Sequence, residues 1–265
     1  MNEEYKADIY MRMAQRFIQP LFFKDGCGGY NFSSTATFVK YRDEYFCVFA
    51  AHAVLLNETR LDNIGFLSTH GSFISLNEIC KRSRIFKEHD IGICNTTAPF
   101  EHKNYFDLDA EESTTNFKSE AFGWIGFPKK KAKEKYHRTK ASEEHITNDL
   151  SVLEDGTLKW TNARFLCLGV ELIQETEDFI KGHFDNENVT YEQEGFKSKA
   201  YSLRGMSGGA LFQGPDKINS ENPTLNDFYK FAGIGLEHRT NEKTVGGASR
   251  HIVKTLISQL LSTET

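Results

Sequence analysis

Arg204-Gly205-Met206-Ser207-Gly208-Gly209-Ala210-Leu211 places one serine between glycines and runs at once into small and apolar residues. Glycine adopts backbone dihedrals that other residues resist and lets the chain approach a ligand closely. The pattern therefore suits a hydroxyl carried on a tight turn. The peptide N–H groups of Gly205 and Ser207 are the candidates to converge on a developing negative charge, as an oxyanion hole. A serine hydroxyl is a weak nucleophile by itself, so the reading requires a base and an acid that orients it.

Two upstream segments supply both. Tyr45 to Val54 reads as a buried strand running into Ala50-Ala51-His52, where small residues leave an imidazole uncrowded. Ile85 to Cys94 reads as a second strand, with Asp90 standing immediately before alternating apolar residues. An acid there is placed to fix the imidazole tautomer. The chain order is histidine, aspartate, serine, with gaps of 38 and 117 residues. Unrelated folds carry this triad in different orders, so order speaks to fold as well as to chemistry. Singly, each residue has an ordinary explanation: a hydrogen-bonded histidine, a turn aspartate, a Ser-Gly-Gly loop. Jointly they would require three coincidences.

The three boxes, Ala50-Ala51-His52, Asp90-Ile91 and Gly205-Met206-Ser207-Gly208-Gly209, resemble those of the chymotrypsin/trypsin-like serine peptidases, and specifically their compact intracellular bacterial branch. Phe122 to Pro128 is similar to the strand that opens the second barrel in that family. Ala232-Gly233-Ile234-Gly235 is similar to the strand that follows the serine and lines the substrate cleft. The resemblance runs from about Thr35 to His251. It implies an all-β fold of two six-stranded antiparallel Greek-key barrels, flanked here by an N-terminal and a C-terminal helix. It also implies peptide hydrolysis through an acyl-enzyme: Ser207 attacks, His52 relays the proton and Asp90 holds His52. The Gly205 and Ser207 amides bind the oxyanion. No metal and no cofactor are implied.

Composition sets the outer limits. The chain has 265 residues, 39% hydrophobic and 26% charged, enough for a sizeable core. A net charge of −5 gives no general attraction to nucleic acid or anionic membrane. The basic runs Lys129 to Lys135 and Lys81-Arg82-Ser83-Arg84 read as solvated loops. No apolar stretch reaches the roughly 18–20 residues of a membrane span, and the acidic start Met1 to Asp8 is unlike a secretory signal. Cys27, Cys47, Cys80, Cys94 and Cys167 are odd in number and irregular in spacing, which fits reduced thiols. A cytoplasmic location is expected.

Along the chain, Tyr5, Ile9, Met13 and Phe17 fall four apart and predict a helix over Asn2–Ile18, ended by Pro20, with residues 1–20 as the N-terminal element. The first barrel is expected over 21–110, with a hairpin of Thr35–Tyr41 and Phe46–Phe49 around Arg42-Asp43-Glu44. A second hairpin pairs Ile64–Ser68 with Ser72–Leu76. A linker over Glu111–Asn116 leads to a second barrel over 117–247, with strands at Ala121–Phe127, Phe165–Leu172 and Phe228–Leu236. Between them, Lys129–Asp149 reads as an exposed loop. Ser249 is placed to cap a helix over 249–263, with Ile252, Val253, Leu256, Ile257, Leu260 and Leu261 as its apolar stripe.

Departures from the family pattern shape the functional expectation. Secreted relatives carry an aspartate before the serine that pairs with a freshly cut N-terminus; this chain has Met206 and no Ile-Val-Gly-Gly start. Activation by that cut is not expected, and a switch thrown by a partner protein or ligand is. The trypsin acid six residues before the serine is Tyr201 here, followed by Ser202, so selection of Lys or Arg does not carry over. The pocket is assigned to Tyr201, Ser202, Leu236, Glu237 and His238, with Glu237 facing either the pocket or solvent, and a small or apolar preferred residue is as open as one that meets charge. The expected partners are a protein or peptide substrate and a regulatory protein, with neither membrane nor nucleic acid. The alternative is a catalytically silent adaptor of the same fold. An α/β-hydrolase is disfavoured because it places serine first.

Overall fold

The two-residue turn Arg42-Asp43 shows how locally this chain specifies its strands. Both residues have positive φ, 49° and 58°, and they join Tyr41 to its cross-strand partner Glu44. Paired positive φ values give a turn whose twist matches that of antiparallel strands. In the computed structural model, residues 7–24, 29–55, 60–70, 72–110, 113–129, 135–136, 150–154, 158–160, 165–187, 190–193, 196–199 and 202–262 are described.

The N-terminal half forms one curled sheet. Its strands are β1 (Ile18–Lys24), β2 (Tyr30–Tyr41), β3 (Glu44–Ala50), β4 (Ile64–Leu67), β5 (Phe73–Ser75), β6 (Cys80–Phe86) and β7 (Ile91–Thr96). They lie in the order β5-β4-β1-β2-β3-β7-β6, with the two-residue β8 (Phe106–Asp107) beside β2. Neighbours along this path are antiparallel. Among the described residues the sheet curls without closing into a ring. Its interior is an apolar cluster including Leu21, Phe38, Phe49, Phe66, Leu76 and Cys94.

The C-terminal half closes. The remaining strands are β9 (Asn116–Phe117), β10 (Ala121–Gly126), β11 (Lys135–Tyr136), β12 (Leu150–Val152), β13 (Leu158–Trp160), β14 (Leu166–Glu175), β15 (Phe179–His183), β16 (Thr190–Gln193), β17 (Phe196–Lys199), β18 (Gly209–Gln213), β19 (Pro215–Lys217), β20 (Lys230–Arg239) and β21 (Thr244–Ser249). Six of them, β10-β14-β15-β21-β20-β18, form a closed antiparallel barrel. Closure removes the open edges that a sheet otherwise exposes to aggregation. Trp124, Leu168, Val170, Met206 and Leu211 fill it. A third apolar cluster joins the halves, with Phe22, Val39 and Ile93 from the first packed with Ile125, Ala210 and Phe231 from the second. The fold is all-β, a closed six-stranded barrel beside a curled half-barrel.

The C-terminal helix, Arg250–Ser262, buries Ile252, Val253, Leu256, Ile257 and Leu260 on the central cluster. Fully burying one such side chain contributes roughly 1.5–3 kcal/mol. The Ser249 hydroxyl accepts from the Ile252 N–H at 3.3 Å, capping the first turn.

Three boundaries differ from the sequence expectation. The N-terminal helix covers Ala7–Gln15; Ile18 and Gln19 already belong to β1, and Pro20 sits inside that strand opposite Thr35. Among the described residues β4 reaches β1 only at Phe22 and Phe23, so no strand there takes a ladder bond from the missing N–H of Pro20. Residues 2–6 of the expected helix lie outside the described residues. Phe228 ends a short helix, Leu225–Phe228, and β20 begins only at Lys230. Within the expected loop 129–149, Lys135 and Tyr136 pair with Asn31 and Tyr30; most of that stretch lies outside the described residues. Cys47, Cys80, Cys94 and Cys167 are free thiols, and Cys27 falls outside.

Candidate active site

His52 follows β3 directly, and Asp90 is the residue before β7, the strand that pairs with β3. That pairing brings them together. The Asp90 carboxylate accepts two hydrogen bonds from His52, one from its backbone N–H at 2.8 Å and one from its ring Nδ1 at 2.6 Å. Asp90 has a left-handed backbone, φ 53°, and its carbonyl accepts from the Ala51 N–H at 2.9 Å. Left-handed residues other than glycine are uncommon and are most often Asn or Asp. One carboxylate thus fixes both the backbone entry and the ring of His52, leaving Nε2 as the nitrogen for proton exchange.

Ser207 sits on the turn that enters β18. Gly205 and Gly208 have φ of +95° and +85°, a region that admits glycine readily and L side chains poorly. A Cβ on Gly208 would overlap the Thr35 carbonyl oxygen and stand 3.0 Å from the Ala50 nitrogen. The serine turn therefore lies against the strand end that delivers His52. Among the described residues, the Gly205 and Ser207 N–H groups have no hydrogen-bond acceptor, whereas the Met206, Gly208 and Gly209 N–H groups bond to Leu203, Gly235 and Met206. The two free donors are those expected to face an oxyanion. The Ser207 hydroxyl itself donates to the Leu236 carbonyl at 2.8 Å. The His52 ring has Asp90 as its partner among the described residues.

Sequence reasoning missed the residues that hold this turn. Thr35 receives it from the first half: its N–H donates to the Ser207 carbonyl at 3.0 Å, and its hydroxyl donates to the Gly205 carbonyl at 3.0 Å while accepting from the Phe127 N–H at 2.8 Å. The Thr37 hydroxyl donates to the Gly208 carbonyl at 2.7 Å. Both threonines are fully buried. Two hydroxyls two residues apart in an apolar strand share one face, and buried hydroxyls require partners. That pattern was the available signal.

A cavity of about 390 Å³ opens beside Ser207. Ser202, Leu236, Glu237 and His238 line it, together with Trp124 and Arg204, which sequence reasoning did not assign. Tyr201 lies outside the described residues. Glu237 pairs with Arg239 at 2.8 Å and lies over Gly246, so its charge is met on the strand rather than left to the cavity. Burial lowers the affinity of the His238 imidazole for its proton, which favours the neutral ring. Met206, the residue before Ser207, is fully buried in the barrel core.

Among the described residues, no cluster of three or more His, Cys, Asp or Glu side chains is arranged to hold a metal ion, and no helix is long and apolar enough to cross a membrane. No family model matches the sequence, and no curated protein does. Among solved structures, the chain is similar to the crystal structure of tobacco vein mottling virus protease, at 8% identity and a TM-score of 0.43 over 92% of this chain and 82% of that one.

Proposed function

We propose that the chain is a serine endopeptidase using Ser207 as nucleophile, His52 as general base and acid, and Asp90 as the group that orients His52. The observation that carries this reading is the doubly anchored His52–Asp90 pair, set against a glycine-flanked serine turn with two free amides. Ser207 Oγ attacks the scissile carbonyl and its proton passes to His52 Nε2. The tetrahedral oxyanion is met by the Gly205 and Ser207 N–H groups. His52 then protonates the leaving amine, and water repeats the sequence on the acyl-enzyme. Each oxyanion donor is worth about 10²–10³ in rate.

The same reading places the enzyme in a bacterial cytoplasm, held in check until a partner protein or ligand switches it, in a defence or stress system. Met206 in place of an activation aspartate supports a trigger other than an N-terminal cut. A fluorophosphonate probe tests the chemistry: covalent labelling of the wild-type protein at Ser207, absent in Ser207→Ala, is expected. Persistent failure to label, alone and with candidate activators, would favour the silent adaptor instead. Rapid unaided cleavage of unfolded casein by the pure protein would remove the switch.

A further inference from the structure

Two ring nitrogens belonging to residues that line the cavity beside Ser207 are buried without a hydrogen-bond partner among the described residues: Trp124 Nε1 and His238 Nε2. Trp124 is 1% exposed, and its indole nitrogen packs against Gly235, the residue before the Leu236 carbonyl that holds Ser207. A buried polar group left unpaired forfeits its hydration with nothing in return. Native proteins retain few, and each calls for an explanation. Here two occur on side chains lining one cavity, next to the proposed nucleophile.

The chemistry of the lining restricts the occupant. An indole N–H only donates, and so does the guanidinium of Arg204 at the exposed rim. A neutral imidazole gives one hydrogen and accepts another. Among the described residues that line it, the one carboxylate, Glu237, is already paired with Arg239. A cationic side chain would meet Arg204 and find no free carboxylate. An apolar one would leave both ring nitrogens unpaired. A group presenting an oxygen lone pair satisfies the indole and can also meet the Arg204 guanidinium at the rim.

We propose that this cavity receives a substrate side chain ending in a carbonyl or carboxylate oxygen, held by the Trp124 N–H and the His238 ring with Arg204 at the entrance. The assignment rests on the serine peptidase reading above. Trp124 and His238 are then specificity-determining residues, and Arg204 separates the two sources of the oxygen. An amide is recognised without Arg204, whereas a carboxylate needs it.

The test is a matched set of fluorogenic peptides with Gln, Glu, Leu or Lys immediately before the scissile bond, assayed on the full chain. The better of Gln and Glu is expected to exceed Leu and Lys at least tenfold in kcat/KM, since a site built to hydrogen-bond its substrate strongly rejects analogues lacking the group. Trp124→Phe and His238→Phe should each shrink that ratio several-fold, with thermal melts reporting that the variants fold. Arg204→Gln should reduce cleavage after Glu more than after Gln if the oxygen is a carboxylate, and neither selectively if it is an amide. A wild-type preference for Leu or Lys overturns the proposal without recourse to any variant. So does an unchanged ratio in folded His238→Phe and Trp124→Phe. Serine labelling with no side-chain preference defeats this inference alone; absence of both labelling and cleavage defeats the peptidase reading and this inference with it.

Discussion

The Ser207 hydroxyl donates to the Leu236 carbonyl at 2.8 Å, on the strand that follows the serine turn. In the proposed mechanism, attack on a substrate requires this hydroxyl to leave Leu236 and present its proton to His52. The step is a side-chain rotation, fast on the scale of turnover. Its cost is of the order of one neutral hydrogen bond, about 1 kcal/mol net. That amounts to less than tenfold in rate. The Ser207–Leu236 bond therefore describes a resting hydroxyl, but is too weak to keep an enzyme silent. A switch of the proposed kind has to act on a larger element, such as the serine turn or the approach to the cavity.

The proposed triad makes the sharpest demand. Asp90→Asn keeps the shape of the side chain, yet an amide cannot accept from both the His52 backbone and the Nδ1–H with two equivalent oxygens. The imidazole then loses its fixed tautomer. Loss of kcat by about 10⁴ is expected, with Ser207→Ala and His52→Ala at least as severe. Peptide turnover measured beside a thermal melt checks this. Near-wild-type turnover by Ser207→Ala would remove the assignment.

Thr35→Val tests the clamp across the two halves. The substitution is nearly isosteric, but it deletes the hydroxyl that joins the Gly205 carbonyl to the Phe127 N–H. The Thr35 backbone bond to the Ser207 carbonyl survives. The turn should persist with Gly205 less firmly set, so the loss falls on the transition state. We expect kcat to drop about tenfold to a hundredfold with KM changed less than threefold. Thr35→Ser should restore most of the activity. A general loss of stability with no kcat effect in the folded fraction would reduce Thr35 to an ordinary buried hydroxyl.

How far this was legible from sequence follows from the range of each interaction. The Arg42-Asp43 hairpin and the C-terminal helix were readable because turn chemistry and an apolar stripe are local. His52, Asp90 and Ser207 could be singled out because each sits in a short box and their order constrains the fold. The Thr35 and Thr37 clamp was not seen, because its partners Gly205 and Gly208 lie about 170 residues away. Trp124 and His238 looked like ordinary barrel residues; their missing partners become visible only when every buried polar atom is accounted for. Locally, Pro20 reads as a helix stop, since nothing near it in sequence shows that it occupies a strand. The two-barrel fold is met by the closed barrel and the curled half-barrel beside it; how nearly the N-terminal sheet's edges meet depends on strand lengths and twist that composition does not specify.

Asp227 gives a pH-dependent prediction outside the cavity. Hydrogen bonds from the Ser113 hydroxyl, the Thr224 N–H and the Thr115 hydroxyl hold its carboxyl down at about 2, and it is 7% exposed. The folded value lies below the ordinary aspartate value of 3.8. The stabilisation is therefore fully present above about pH 4 and is lost as pH falls through the folded value. Asp227→Asn should cost about 2 kcal/mol at pH 7. Denaturant titrations of the two proteins should converge near pH 2. A difference that persists unchanged into acid would mean the amide fails for steric reasons rather than for want of charge.

Lys103 also makes stability rise with pH, but as a destabilising group rather than a stabilising one. Its ammonium is buried against the Ile18 carbonyl at 2.8 Å, and desolvation, with a smaller contribution from the Arg16 charge, lowers its pKa from 10.5 to about 7. Between those two values the unfolded chain holds a proton that the folded chain has released, so this group makes stability rise with pH across that window. Below about pH 7 both states are protonated and its destabilising effect is at its largest. Lys103→Met removes the buried charge while keeping a flexible side chain of similar length. The variant should gain stability relative to wild type at pH 6, and the gain should shrink steadily as pH approaches 10. Chemical denaturation at pH 6, 8 and 10 measures the slope directly. A gap between the two proteins that is flat in pH would show that Lys103 keeps its proton in the fold and that the Ile18 carbonyl compensates its burial.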